Sequence, residues 1–592
     1  MTSASASSSS QQNPALKSLD SSVAEDASET SRQQADRRTW AVWITVILLT
    51  AAVTFGSISA TRPKFNRSEI AYALISREMM EKNSFIMPLY RGVPCIDKPI
   101  MNYWAIIAGF KTLGPCGLAA RLGSLAAAVS CLFLFAVSIR KLWGSQASLL
   151  GTMILATSER FWEFATLCMT DMLLCLFDNM SLVFLFASIK NEKNRLLWYC
   201  LAGASMALGT LTKGPVALIL PGFSYCLYLL LTRRLKTLSI KHIAIAAAVF
   251  FAVAAPWHIA AASAVSTPDG VLTWFWHYNV ERFFGSTFSF THPPSYMVQS
   301  LFLGFAPWSI FLPFAAVSAL IRWRKKTNPE QSQDELYLWI WVILTTTFFT
   351  LSRGKMNYYD LPAFPAVSGI VALHISNWIK DKQKGRAAGA WLLTAVLYAG
   401  TAISAYILPQ VTTTSDISVW FLMPLGFLLG ALYSTWALVK DKPMQSYGAV
   451  YASLCCALFA FAWQIHPAFL RQAPANGYIL TLKKHPEARI ALHSDFAKTI
   501  DWEDVTLFET RRLPDRLNDS ADLAAYLEKP GPALVIVPED RYLTLPQGLR
   551  DKLTVVENRP YMYQKIDLAF FLKGHGKLTG PIPLLLVANE KI

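Results

Sequence analysis

The chain has 592 residues, of which 53% are hydrophobic, 13% aromatic and only 16% charged. Soluble domains carry about a quarter charged residues, so the composition excludes an ordinary soluble enzyme and points to a polytopic membrane protein. The net charge of +15 sits in short basic clusters between apolar runs. No stripe interleaved with aromatics is present, which argues against a nucleic-acid surface.

In chain order, residues 1–38 are Ser-rich, mixed in charge and without the apolar core of a signal peptide. They are expected to form a disordered cytoplasmic tail. The run Trp40–Ser59 follows, long enough for a bilayer span, which takes about 20 residues. Apolar runs of spanning length, thirteen in all, start near Thr39, Cys116, Ala147, Asp171, Leu196, Pro215, Ser239, Met297, Glu335, Asp360, Ala387, Ser418 and Tyr447. They define an expected membrane domain over 39–472, with a long first outer loop and surface helices at 60–115. The basic segments "RKLWGS", "KNEKNR", "RRLKTLSIKH", "RWRKKTNPEQSQDE", "KDKQKGR" and "KDKP" fall at every second connection. They place those connections and the N-terminus in the cytoplasm, and the alternate connections outside. Residues 473–592 change texture to short strand-like runs, "ARIALHS", "ALVIVPE" and "KLTVVEN", mixed with helix-like pieces such as "SADLAAYLEK". This predicts a small extracytoplasmic α/β domain. The nine cysteines include no C-x-x-C and read as small buried hydrophobes.

Removing the cytoplasmic clusters leaves a second polar set on the outer side. It comprises Glu69, Arg77, Asp97, Lys98, Asp171, Lys213, His277, Arg282, His292, Arg353, Lys355, Tyr358 and Tyr359. Charge at a hydrocarbon edge is costly unless paired or set in a wet cavity, so each is a functional candidate. Glu69 opens a run with helical spacing, where it is either an active carboxylate or the third residue of a capping box begun by Asn66. Asp97 and Lys98 precede Pro99, which holds Lys98 extended; they form either a surface ion pair or an active loop. Lys213 lies in a tight Gly-Pro turn, with Asp171 as its simplest partner. "SRGKMNYYD" crowds two cations and two phenols, donors that suit an anion with several oxygens, such as a phosphate. His277 and His292, flanking Arg282, match no metal spacing. Carboxylates, cations and phenols around one outer cavity suit a lipid-linked phosphate.

The ordered segments "SEIAYALISREMM", "IMPLYRGVPCIDKPIMNYW", "AARLGS", "TDMLL", "LTKGPVALILPG", "NVERF" and "SRGKMNYYDLPAFPA" resemble bacterial transferases that add 4-amino-4-deoxy-arabinose to lipid A. More distantly, they resemble the protein O-mannosyltransferases. That resemblance implies the type C glycosyltransferase fold, mainly α, with about thirteen spans, in a bacterial inner membrane. It also implies a polyprenyl-phosphate sugar donor and a lipid A-like lipid, glycan or protein acceptor. Glu69 and Asp97 would be the catalytic carboxylates. Lys98, Tyr359, Lys213, Arg282 and Lys355 would bind the donor phosphate, supported by Ser68, Asp171, Arg353, Tyr358, His277 and His292. Asp97 stands where the family has a glutamate tied to a divalent metal, which makes a metal the one cofactor candidate. The chain departs from the family pattern at Ser68 (Asp in the family), Ala71 (Arg) and Asn279 (His). A transporter of lipid-linked sugars and a non-catalytic binding protein are the alternative readings.

Overall fold

A computed structural model of the chain describes residues 14–62, 65, 67–264, 276–285, 292–380, 388–411, 417–465, 474–494, 502–561 and 582–589. Long apolar runs form helices because a backbone in lipid must satisfy its own hydrogen bonds. In chain order the membrane part holds α1 (Pro14–Thr61), α2 (Arg67–Glu81), a hairpin of β1 (Leu89–Tyr90) and β2 (Val93–Pro94), and α3 (Met101–Leu113). Then come α4 (Gly117–Trp143), α5 (Ser145–Thr157), α6 (Glu159–Ala165), α7 (Thr170–Lys190), α8 (Arg195–Lys213), α9 (Val216–Leu231) and α10 (Ile240–Ala264). After a π-turn at Trp276–Glu281 follow α11 (Tyr296–Gly304), α12 (Leu312–Lys325), α13 (Pro329–Leu351), α14 (Phe364–Lys380), α15 (Ala388–Val411), α16 (Ile417–Val439) and α17 (Pro443–Ala460).

The architecture is the expected helical membrane protein. A helix or bent helix pair occupies every one of the apolar runs. Among the described residues, however, seven helices are long and apolar enough to cross a membrane, or eight if α11 and Trp308–Lys325, bent by 112°, act as one. Helix α5 has 13 residues, α9 has 16 and α14 has 17. At 1.5 Å per residue these reach only about 20 to 26 Å, short of the roughly 30 Å hydrocarbon core. Hydropathy windows smooth over such short, close-packed helices. At the N-terminus α1 extends back to Pro14. Its Ala, Glu, Gln and Arg content favours helix. The Asn66 cap lies outside the described residues.

Small residues let the helices approach closely. A Cβ on Gly203 of α8 would sit 2.5 Å from the Ala246 carbonyl of α10, so glycine permits that crossing. At the end of α7 that carries the basic "KNEKNR" segment, Lys190 pairs with Glu330 and Asp334 at 3.0 and 2.8 Å. Asp171 lies in the first turn of the same helix, at its other end.

The C-terminal part is the predicted α/β unit: α18 (Pro474–Lys484), β3 (Arg489–His493), α19 (Trp502–Thr510), β4 (Asp515–Leu517), α20 (Ser520–Glu528), β5 (Ala533–Pro538), two short helices, β6 (Thr554–Tyr561) and β7 (Ile582–Ala588). The sheet order is β4-β3-β5-β7-β6. β3 runs parallel to β4 and β5, and β7 antiparallel to β5 and β6. β5 and residues Leu584 to Ala588 of β7 are buried, which explains their unbroken apolar runs. β7 was not predicted from the sequence.

Candidate active site

The loop after β2 carries Asp97 and Lys98 to the start of α3. Lys98 Nζ donates to Asp97 Oδ1 at 2.9 Å and to the Asp97 carbonyl at 3.0 Å. The Asp97 side chain remains 36% exposed and that of Lys98 only 14%, so the carboxylate is the accessible member. Burial pushes the Lys98 ammonium below the ordinary lysine value; Asp97 offsets this in part, while the Arg282 and Lys213 charges add to it. These three cations are therefore close enough to repel one another, a field that favours an anion.

Lys213 ends α8 and pairs with Asp171 in the first turn of α7. Its ammonium also lies over the rings of Tyr359 and Tyr358, at 4.3 and 5.6 Å, a cation–π geometry. Arg282 lies over the same Tyr359 ring at 5.9 Å. The Lys213 turn depends on Gly214, at φ 91° and ψ −160°, a region essentially restricted to glycine. A Cβ there would meet Asn279 Oδ1 at 2.8 Å. Asn279 thus abuts the Lys213 turn. The segment around Arg282 is held by two backbone bonds, Arg353 N–H to Phe283 O at 3.0 Å and Gly354 N–H to Arg282 O at 3.2 Å.

The structure therefore brings together Asp97, Lys98, Asp171, Lys213, Arg282, Tyr358 and Tyr359. Tyr72 joins them from α2: its ring meets Tyr103 edge-on at 5.9 Å. Burial first, and the Asp97 charge next, raise its phenol well above the ordinary value, so it stays a neutral donor. Tyr72 lies one turn after Glu69, a helical spacing that could have identified it.

Other candidates are placed elsewhere. Glu69 is 0% exposed. Its Oε1 accepts from Arg121 Nε at 3.0 Å and from Cys168 N–H at 3.0 Å, and its Oε2 from Arg121 Nη2 at 3.3 Å. Burial works to raise its carboxyl, yet the Arg121 guanidinium holds it below the usual carboxylate range. It is a locked ion-pair partner, with both oxygens engaged. Lys355 is buried and donates to the Thr350 carbonyl at 2.7 Å, closing the end of α13. Arg353 and Ser68 are exposed. His277 Nδ1 meets Glu281 Oε2 at 2.6 Å, and His292 stacks on Tyr296 at 3.8 Å.

Among the described residues no group of three His, Cys, Asp or Glu side chains converges. Asp97 Oδ1 accepts from Lys98. A separate crevice of about 480 Å³, lined by residues such as Phe135, Leu182 and Lys190, opens at the opposite, basic end and touches none of these side chains.

Comparison with known proteins follows the same lines. Residues 97–259 match the family model for dolichyl-phosphate-mannose-protein mannosyltransferases. An undecaprenyl phosphate-alpha-4-amino-4-deoxy-L-arabinose arabinosyl transferase from Aeromonas hydrophila is 30% identical over 337 residues, covering 56% of this chain and 60% of that protein. The match thus spans less than two thirds of that relative's length. A transferase of the same description from Proteus mirabilis is 25% identical over 568 residues, covering 90% of this chain and 98% of its own. The crystal structure of ArnT from Cupriavidus metallidurans bound to undecaprenyl phosphate superposes with a TM-score of 0.69 at 19% identity, over 93% of this chain and 98% of that one. The similarity to the aminoarabinose transferase and protein mannosyltransferase superfamily, first read from ordered motifs, is shown by these matches, and the fold is that of the solved transferase.

Proposed function

We propose, from that similarity and the site's geometry, that the chain is an integral membrane glycosyltransferase. It takes a sugar from a polyprenyl-phosphate donor and attaches it to a lipid A-like lipid at the outer face of a bacterial inner membrane. The relatives' printed names make a pentose, an aminoarabinose, the favoured sugar. The observation that carries this reading is the convergence of Lys98, Lys213 and Arg282 beside Asp97 and the Tyr359 phenol. Three half-buried cations provide charge-assisted donors, and the phenol hydroxyls further donors, for a phosphate leaving group.

In this reading the donor phosphate attracts Lys98 away from Asp97, and donor binding thereby frees the carboxylate. The acceptor hydroxyl oxygen bonds to the anomeric carbon as the bond from that carbon to the phosphate oxygen breaks. Asp97 takes the hydroxyl proton, and Lys98, Lys213 and Arg282 stabilise the departing phosphate. A single displacement inverts the anomeric centre. Asp171 orients Lys213. Glu69 serves through Arg121, holding α2 and thus Tyr72 in place. The distribution of basic clusters supports a cytoplasmic N-terminus, and a division into tail 1–38, membrane domain 39–472 and extracytoplasmic domain 473–592. Deleting the gene and comparing outer-surface lipids, glycans and glycoproteins by mass spectrometry tests the function. Loss of a pentose from a lipid is expected; unchanged lipids and glycans would refute it.

A further inference from the structure

No catalytic motif is legible in the sequence of the C-terminal domain, yet the domain grips the segment that presents Asp97 and Lys98. The β1–β2 hairpin turns through Arg91 and Gly92, both with positive φ, 52° and 83°, the pattern of a tight two-residue turn. Each of its strands has only two residues, and so short a ladder does not hold itself in water. Its order comes from outside. Arg91 donates to Asp504 Oδ1 from Nη2 at 2.7 Å and from Nε at 3.1 Å, and to Glu503 Oε2 at 3.1 Å. The Tyr90 hydroxyl donates to Asp504 Oδ2 at 2.7 Å. Both oxygens of Asp504, a residue only 3% exposed, are thus committed to the hairpin. The membrane part contributes one further anchor, Gly92 N–H to Glu78 Oε1 at 2.7 Å.

The gripping element is itself fixed to the membrane part. Asp504 sits in the first turn of α19, where an acid suits the helix dipole. Four residues on, Phe508 packs edge-on against Phe65 at 5.1 Å and against Phe110 at 6.1 Å, with the Arg77 guanidinium 5.2 Å from its ring centre. Arg77 also donates to the Phe508 carbonyl. On the other side, Cys95 N–H donates to Pro88 O at 2.8 Å, closing the hairpin base. Asp97 follows two residues later.

We propose that Arg91, Tyr90 and Asp504 are positioning residues: through them the C-terminal domain clamps the hairpin and sets where Lys98 and Asp97 stand. This rests on the function proposed above, with Lys98 as the donor-phosphate ligand. A loosened clamp leaves the chemistry of both side chains intact but spreads their positions, so it weakens donor binding more than turnover of bound donor.

The test uses the full-length protein in nanodiscs, as wild type, Asp504→Asn, Arg91→Lys and Tyr90→Phe. Hydrogen exchange over residues 95–101 is expected to quicken about tenfold in Asp504→Asn, with the membrane helices unchanged. The donor KM should rise about tenfold with a smaller fall in kcat. Arg91→Lys, which keeps one charged contact, should recover part of both effects. Tyr90→Phe removes one hydrogen bond only; it gives a smaller shift in the same direction and serves if Asp504→Asn fails to fold. Unchanged exchange over 95–101 in both Asp504→Asn and Tyr90→Phe overturns the clamp, and so does faster exchange with an unaltered donor KM. Normal transfer by Lys98→Ala would instead overturn the reading of the site, and the exchange result would still report on the clamp.

Discussion

The Glu69–Arg121 pair offers the sharpest test of how the site is built. Both side chains are essentially sealed, at 0% and 1% exposure. Arg121 is further fixed by the Ser59 and Arg62 carbonyls at 3.1 and 3.2 Å from Nη1. It therefore cannot swing to water when its partner is removed. Breaking a buried pair by neutralising one member costs about 3–5 kcal/mol, because a charge is stranded. At about 1.4 kcal/mol per tenfold, that is a factor of roughly 10² to 10³ or more in the folded population. Glu69→Gln and Arg121→Gln should each lower the temperature at which the detergent-solubilised protein loses monodispersity. The double variant, which strands no charge, should lie well above the sum of the two losses. The pH sign is fixed by the lowered Glu69 carboxyl. Its stabilisation is complete above the ordinary carboxylate range and is lost as pH falls through the lowered value. Wild type should thus lose its advantage over Glu69→Gln in acid. Strictly additive losses, or a Glu69→Gln protein as heat-resistant as wild type at neutral pH, would refute the ion-pair account of Glu69.

Three further outcomes are expected. Because the Lys98 ammonium is pushed down by burial, donor binding should weaken on the alkaline side at a pH below the ordinary lysine value of about 10.4. In Lys98→Arg that alkaline limb should move upward, and a limb shared by both proteins would count against Lys98. Gly214→Ala forces a side chain into a glycine-only conformation, at about 1–3 kcal/mol, and displaces Asn279 and Lys213. Transfer should fall at least tenfold with the protein still in the membrane; unaltered transfer would deny that the turn places Lys213. Donor KM measured for Lys98→Ala should rise far more than for Lys355→Ala, whose ammonium is spent on the Thr350 carbonyl. Equal effects would return Lys355 to the phosphate site.

Much of the site was legible because its pairs are local or forced by the membrane. Asp97 and Lys98 are neighbours, and Lys213 in a turn beside a bilayer has few partners to choose from besides Asp171. The fate of Glu69 was not legible. Its partner Arg121 is 52 residues away, and nothing in helical spacing ties α2 to α4. The setting of Lys355 was hidden for a related reason: composition places it among donors, but only the course of the chain after α13 shows that it turns back on the Thr350 carbonyl. Short helices such as α5 and α14 stand among the thirteen apolar runs because hydropathy records an apolar run and not its length across the bilayer. The hairpin clamp was hidden most completely, because Arg91 and Asp504 are 413 residues apart.

The central claim is that this cluster transfers sugar from a lipid phosphate, with Asp97 as base and Lys98 on the phosphate. Its most direct measurement is transfer kinetics in proteoliposomes containing polyprenyl-phosphate aminoarabinose and lipid A, with wild type, Asp97→Asn and Lys98→Ala at equal membrane levels. Wild type should transfer the sugar with inversion, Asp97→Asn should lose about 10²–10⁴ in kcat, and Lys98→Ala should lose mainly donor affinity. Wild-type kcat in Asp97→Asn, or retained anomeric configuration in the product, would contradict it.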